Sequence, residues 1–178
     1  AREGGGAFIA DTCKTLLVKH CNFTYNFARS GGSIHTTACR IVIVTFSEFQ
    51  HSNGKNRGGA LYSTTSKIFK CMFNTFLRNS AKYGGAIMLY VVKFIKIASS
   101  YFQNCESRES GGALYLFESV HAKIYNDTFL FNNAKYDGGA LSMHYSKTLQ
   151  TANMLFLGNA AELHGGGLFI KYCDTILS

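Results

Sequence analysis

Ten carboxylates, six histidines, six cysteines and eighteen lysines and arginines carry the reactive chemistry open to this 178-residue chain. Glycoside hydrolysis needs two carboxyl groups held about 5–10 Å apart. The acids are Glu3, Asp11, Glu48, Glu106, Glu109, Glu118, Asp127, Asp137, Glu162 and Asp174, and they keep no common spacing. A lyase would want carboxylates for calcium beside an Arg or Lys, and no such grouping stands out. The histidines at 20, 35, 51, 121, 144 and 164 are as scattered, so no convergent metal-ligand set is expected. Cofactor-free, non-catalytic behaviour is the expectation.

Cysteines 13, 21, 39, 71, 105 and 173 include no Cys-x-x-Cys pair, which disfavours a zinc or redox motif. Lysine and arginine are better ordered. Lys14, Arg40, Lys67, Lys93 and Lys147 fall in one register, and Lys70, Lys96 and Lys123 follow three positions later. Together they predict a basic strip along one edge of the molecule, suited to an acidic polysaccharide or glycoprotein. Solvated strand ends protected by Lys explain the same pattern without a partner. The net charge of +8 fits either account, and no recognition motif points to specific nucleic-acid binding.

The elements that must position these residues announce themselves through a repeat. A glycine pair, a small residue and a bulky apolar one recur seven times, as in Gly58-Gly59-Ala60-Leu61 and Gly84-Gly85-Ala86-Ile87. The pairs open at Gly5, Gly31, Gly58, Gly84, Gly111, Gly138 and Gly165, a period that never varies by more than one residue. Eighteen residues after each of the first six pairs stands a phenylalanine: Phe23, Phe49, Phe76, Phe102, Phe129 and Phe156. Three residues further stand Asn26, Asn79, Asn132 and Asn159, with Ser52 and Cys105 in the other two coils. All length variation lies between that Phe and the next glycine pair.

Within each repeat apolar residues alternate with period two, the mark of half-buried strands. The columns Ile34, Leu61, Ile87, Leu114, Leu141 and Val42, Phe69, Ile95, Ala122, Leu149 read as inward ladders. Glycine pairs in every repeat argue against a helical solenoid. The expected fold is therefore an all-β, right-handed, single-stranded parallel β-helix with three short strands per 26–27-residue coil and about six and a half coils. One domain spans residues 1–178. Stacked coils about 4.8 Å apart make the Phe column an aromatic stack and the Asn column an amide ladder. Cys13 and Cys39 share a column in adjacent coils, within range of a disulfide. Tyr62, Tyr115 and Phe169 share an outward column open to sugar stacking.

At the glycine and phenylalanine motifs the chain resembles the chlamydial polymorphic membrane protein repeat, marked by Gly-Gly-Ala-Ile/Leu/Val and Phe-x-x-Asn. The first form is intact at four places, with Gly5-Gly6-Ala7 followed by Phe8 instead, and the second is kept in four of six coils. The resemblance implies a β-helix on the outside of a cell, serving adhesion or display. Any membrane attachment would belong to sequence beyond this segment, since no barrel is present in it. Asn22-Phe23-Thr24 and Asn126-Asp127-Thr128 are glycosylation acceptors if the route is a eukaryotic secretory one. The chain shows no cap at either end and reads as part of a longer β-helix. The leading expectation is an extracellular or cell-surface structural or adhesive rod that binds acidic glycans through its basic strip. A β-helix polysaccharide lyase or hydrolase, and a filament subunit associating through its coil ends, are the alternatives.

Overall fold

The computed structural model describes residues 4–178, among which the regular structure is entirely β. No helix among these residues is long and apolar enough to cross a membrane. The chain winds as a parallel β-solenoid of about six coils. In the coil opening at Gly58 the strands are Leu61–Thr64, Ile68–Met72, Thr75–Leu77 and Ser80–Tyr83. Each pairs in parallel with its counterparts in the coils before and after, so Phe76 lies between Phe49 and Phe102. These four segments per coil form three sheets. The third and fourth strands each build a six-stranded sheet, and the first two share a 12-stranded one through the continuous strand Leu141–Ala152. The fourth strand occupies what reads in the sequence as a turn. It absorbs the length variation, since Ala81 pairs with Gly54 and Tyr83 with Arg57 across a register shift.

Four corners per coil turn the chain, and each is made by a residue with positive φ. The first glycine of the pair makes one, as at Gly58 (φ 54). The others follow in that coil at Thr65, Phe73 and Arg78. Only the first demands glycine. A Cβ on Gly58 would sit 2.0 Å from the Leu61 carbonyl oxygen, and one on Gly59 1.9 Å from that of Gly85 in the next coil. At the other three corners the side chains point mostly to solvent, so Thr, Phe and even Val91 accept a left-handed backbone at some cost. These corners and the tightly paired strands leave no site for a residue with φ locked near −65° and no N–H, in line with a chain that has no Pro.

The interior is a set of like-residue stacks. Phe49, Phe76, Phe102 and Phe129 are fully buried, with ring centroids 4.8–4.9 Å apart and planes within 6° of parallel. The coil spacing imposes that stacking distance, and burial of each ring stabilises by about 2–3 kcal/mol. The asparagine column works differently from an amide ladder. Asn79 Oδ1 accepts the Ser52 N–H (2.9 Å) while its Nδ2 donates to the Phe49 carbonyl (2.9 Å). Asn132 and Asn159 bracket the preceding coil in the same way. Among the described residues amide meets amide directly in this column between Asn132 and Asn159 alone, because Ser52 and Cys105 interrupt it. Cys105 keeps half of the bracket, its thiol 3.7 Å from the Phe76 carbonyl.

A second bracket, two residues before the Phe, holds Asn74 between the Ser47 N–H and the Val44 carbonyl. Two coils on, Asp127 takes that place. Its Oδ1 accepts the Ser100 N–H (2.7 Å), but Oδ2, where the amide would donate, is buried without a partner. Burial pushes this carboxyl up to about 7 despite hydrogen bonds from the Ser100 and Tyr125 backbone.

Candidate functional site

Lys70, Lys96 and Lys123 are direct register partners on the outer face of the second strands. The run stops at Ile43 on one side and Gln150 on the other. Lys14, Arg40, Lys67 and Lys93 are exposed in the turn just before those strands, and Lys147 is exposed within the continuous strand Leu141–Ala152. None of these eight residues pairs with a carboxylate among the described residues. Lys96 Nζ lies 5.3 Å from the centre of the Tyr125 ring. Beside it a trough of about 420 Å³ is lined by Lys96, Lys123, Tyr125, Asn126, Gln150 and Asn153, among others.

A longer basic ladder accompanies the strip. Arg29, Lys55, Lys82, Arg108 and Lys135 stand on the fourth strands or in the turns just after them, one per coil in five consecutive coils, all exposed. Each lies six residues after a column phenylalanine, a count that survives because the inserted residue falls later. Each also lies twenty-four residues after the first glycine of its coil, so a count from either landmark finds the register. Lys82 reaches Glu109 at 3.7 Å, and Arg108 donates to the Lys55 carbonyl.

The outer face of the first strands carries a third feature. Tyr62, Met88 and Tyr115 occupy outward positions yet are only 4–7% exposed. The glycine corner folds the end of the fourth strand back against them, so Tyr83 leans on Tyr115 with ring centroids 5.3 Å apart. From the other side Tyr90 and Phe117 (5.7 Å apart) close over the column. Between them lies a groove of about 330 Å³ with Arg57, Tyr83, Tyr90, Tyr115 and Phe117 on its walls and Met88 in its floor. Arg57 sits 5.5 Å from the Tyr62 ring centre and donates to its hydroxyl. The aromatic surface continues through His144, Phe169, Tyr145 and Tyr172 into the later coils.

Histidines and acids that look scattered in the sequence meet here, which corrects that expectation for these residues. His164 Nδ1 is 2.7 Å from Asp137 Oδ1, and its ring stacks on Phe169 against His144. Burial holds the His144 imidazole below its ordinary range, helped by Lys171 and opposed by Asp137. Burial also pushes the Tyr115 phenol up, with smaller contributions from Tyr83, Asp137, Tyr145 and Glu109, so it stays a neutral donor. Glu3 lies outside the described residues. Among the described residues no three His, Cys, Asp or Glu side chains converge as a metal site.

The remaining sequence candidates have structural surroundings. All six cysteines are free thiols. Cys39 is buried beside Cys13, and its thiol is raised by burial and by that neighbour. Asn22 and Asn126 are both exposed; Thr24 Oγ1 donates to Asn22, and Asn153 Nδ2 to Asn126. The buried Phe and Asn columns belong to the frame and reach no surface site.

Fold and surface together define a β-solenoid with two basic ladders and one aromatic groove. No family model, no curated protein and no solved structure matches this chain.

Proposed function

We propose that this chain is a non-catalytic rod of an extracellular or cell-surface protein, one that holds linear acidic polysaccharide along its basic ladders. The observation behind this reading is the run Arg29, Lys55, Lys82, Arg108 and Lys135, an unbroken cation per coil. Like charges stacked at about 4.8 Å repel each other, offset at Lys82 by Glu109 at 3.7 Å. A linear polyanion with charges along its length relieves that repulsion at every rung. The Lys70, Lys96 and Lys123 stack offers the same chemistry on another face. The resemblance to the polymorphic membrane protein repeat agrees with an adhesive role.

The hydrolase reading draws on Glu109 and Asp137, which both lie near Tyr115. Lys82 lies 3.7 Å from Glu109 and His164 Nδ1 2.7 Å from Asp137, so either carboxylate must give up a partner before it serves as general acid. The rod reading is the better supported.

The test is binding of polygalacturonate and of heparin at low and at physiological salt, with any shortened product scored in the same samples. Lys55→Gln with Lys135→Gln is expected to weaken binding about tenfold and to flatten its salt dependence. Salt-independent binding, or full binding by variants lacking both ladders, would refute the proposal, and product formation would refute its non-catalytic part.

A further inference from the structure

The aromatic groove borders the long ladder at Lys82, whose Nζ lies 5.4 Å from the centre of the Tyr83 ring, but no ladder residue lines it. We propose that it binds a linear, uncharged saccharide chain lying along the solenoid axis, with sugar rings stacked on Tyr83, Tyr90 and Phe117. Those three rings are half-exposed, whereas Tyr62, Met88 and Tyr115 beneath them are buried. The three rings pack on that buried column and leave part of each ring open to water in successive coils.

Charge and edge chemistry select the occupant. Beside the groove Lys82 meets Glu109 (3.7 Å), and His164 Nδ1 lies 2.7 Å from Asp137 Oδ1. His144 is held neutral by burial, and the Tyr115 phenol keeps its proton. Among the groove's lining residues Arg57 alone is charged, so a strongly charged ligand meets a single counter-charge there. A cationic ligand is also disfavoured because the chain's own cations already lie against the rings: Arg57 by Tyr62 (5.5 Å), Lys82 by Tyr83 (5.4 Å) and Lys171 by Tyr172 (5.1 Å). A peptide cannot add as a strand to this face, because each first strand from Ile34–Thr37 to Leu114–Phe117 is paired on both sides.

What remains is a ligand with flat apolar faces and hydroxyl edges. A pyranose has both: its C–H face packs on an aromatic ring, and its hydroxyls meet phenol, guanidinium and imidazole groups at the rim. The rings recur coil by coil at 5.3–5.7 Å (Tyr83 to Tyr115, Tyr90 to Phe117), so an extended chain can meet several in succession. This inference does not rest on the acidic-glycan reading, and the two fail separately.

The experiment titrates the chain with cellohexaose, chitohexaose and laminarihexaose at low and physiological salt. Tyrosine emission is the reporter, since the chain has no Trp. A proline-rich peptide serves as the competing ligand class. Saturable binding of at least one saccharide, unchanged by salt, is expected. Tyr90→Ala with Phe117→Ala should weaken it at least tenfold, Tyr90→Leu with Phe117→Leu also several-fold, and Lys55→Gln with Lys135→Gln not at all. Both rings are partly exposed, so the variants should keep the wild-type circular dichroism. No saccharide binding, binding that survives Tyr90→Ala with Phe117→Ala, or saturable binding of the peptide instead would overturn the proposal.

Discussion

The basic ladder and the aromatic groove are built from the same coils by opposite means. The ladder takes one residue per coil from a single column, so Arg29 to Lys135 need nothing but repetition. The groove joins residues from separate columns: Arg57 and Tyr83 from before a glycine corner, Tyr62, Met88 and Tyr115 from just after it, Tyr90 and Phe117 from the strand end. A ladder tolerates loss of a rung. A groove depends on departures from the repeat, because Ser142 where Tyr115 stands one coil earlier, or Ser110 where Tyr83 stands one coil earlier, removes a wall. Repetition makes extended, graded surfaces, and variation within the repeat makes local ones.

The frame is what the two share, so breaking it gives the largest effect. A Cβ on Gly85 would lie 2.0 Å from the Gly112 carbonyl oxygen. Gly85→Val is therefore expected to cost on the order of 4 kcal/mol or more and to abolish polyanion and saccharide binding together. A thermal melt followed by both binding assays checks this; loss of one site alone would show that the regions fold separately.

Next in size is the charge trapped behind the second-strand face. Asp127 is raised in the folded chain from 3.8 to about 7, so the native state binds the extra proton. Its stabilising contribution is full below about pH 4 and is lost as pH rises through about 7. Asp127→Asn restores the amide bracket that Asn74 makes and should stabilise by about 2–4 kcal/mol at pH 8, with little effect at pH 4. Denaturant melts at the two pH values decide it, and an equal effect at both would remove the orphaned oxygen as the cause.

The groove side has the opposite sign and a smaller effect. His144 is lowered by burial, so the unfolded chain binds the proton more readily and stability falls as pH drops below the ordinary histidine range. His144→Gln should remove this loss between pH 7 and pH 5 while leaving the Asp127 transition in place. Unchanged acid sensitivity in that variant would sever the groove from the titration.

The smallest effect concerns the corner beside the groove. Val91 is β-branched at φ 55 and exposed, a conformation that Asn or Gly reaches with less strain. Val91→Asn is expected to stabilise by about 0.5–1 kcal/mol and to leave both binding activities unchanged. A destabilised variant would mean that the Val91 side chain packs in a way its exposure conceals.

Much of the frame was legible in the chain itself. Gly58 and Gly59 mark a corner and a close backbone approach, and Phe49, Phe76 and Phe102 mark the stack, because each repeats at a fixed interval. Lys70, Lys96 and Lys123 were legible for the same reason. The fourth strand was not, since its sequence differs from coil to coil and its length varies by a residue. Arg29 and Lys55 each stand twenty-four residues after the first glycine of their coil, so that ladder was open to the same reading. His164 and Asp137 share a column but differ in type, so nothing in the letters joins them.

The sequence by itself determined the coil, its period, its inward ladders and the cations stacked by periodicity. A repeat this short admits few closed paths once the glycine and phenylalanine registers are set. Only the tertiary structure decided the groove, the Asp137–His164 contact and the orphaned Asp127 oxygen. These depend on how a corner folds one strand end against the next and on which neighbour stands one coil away. Such contacts are set by distance in space between residues a full coil apart in the chain, and no local pattern encodes them.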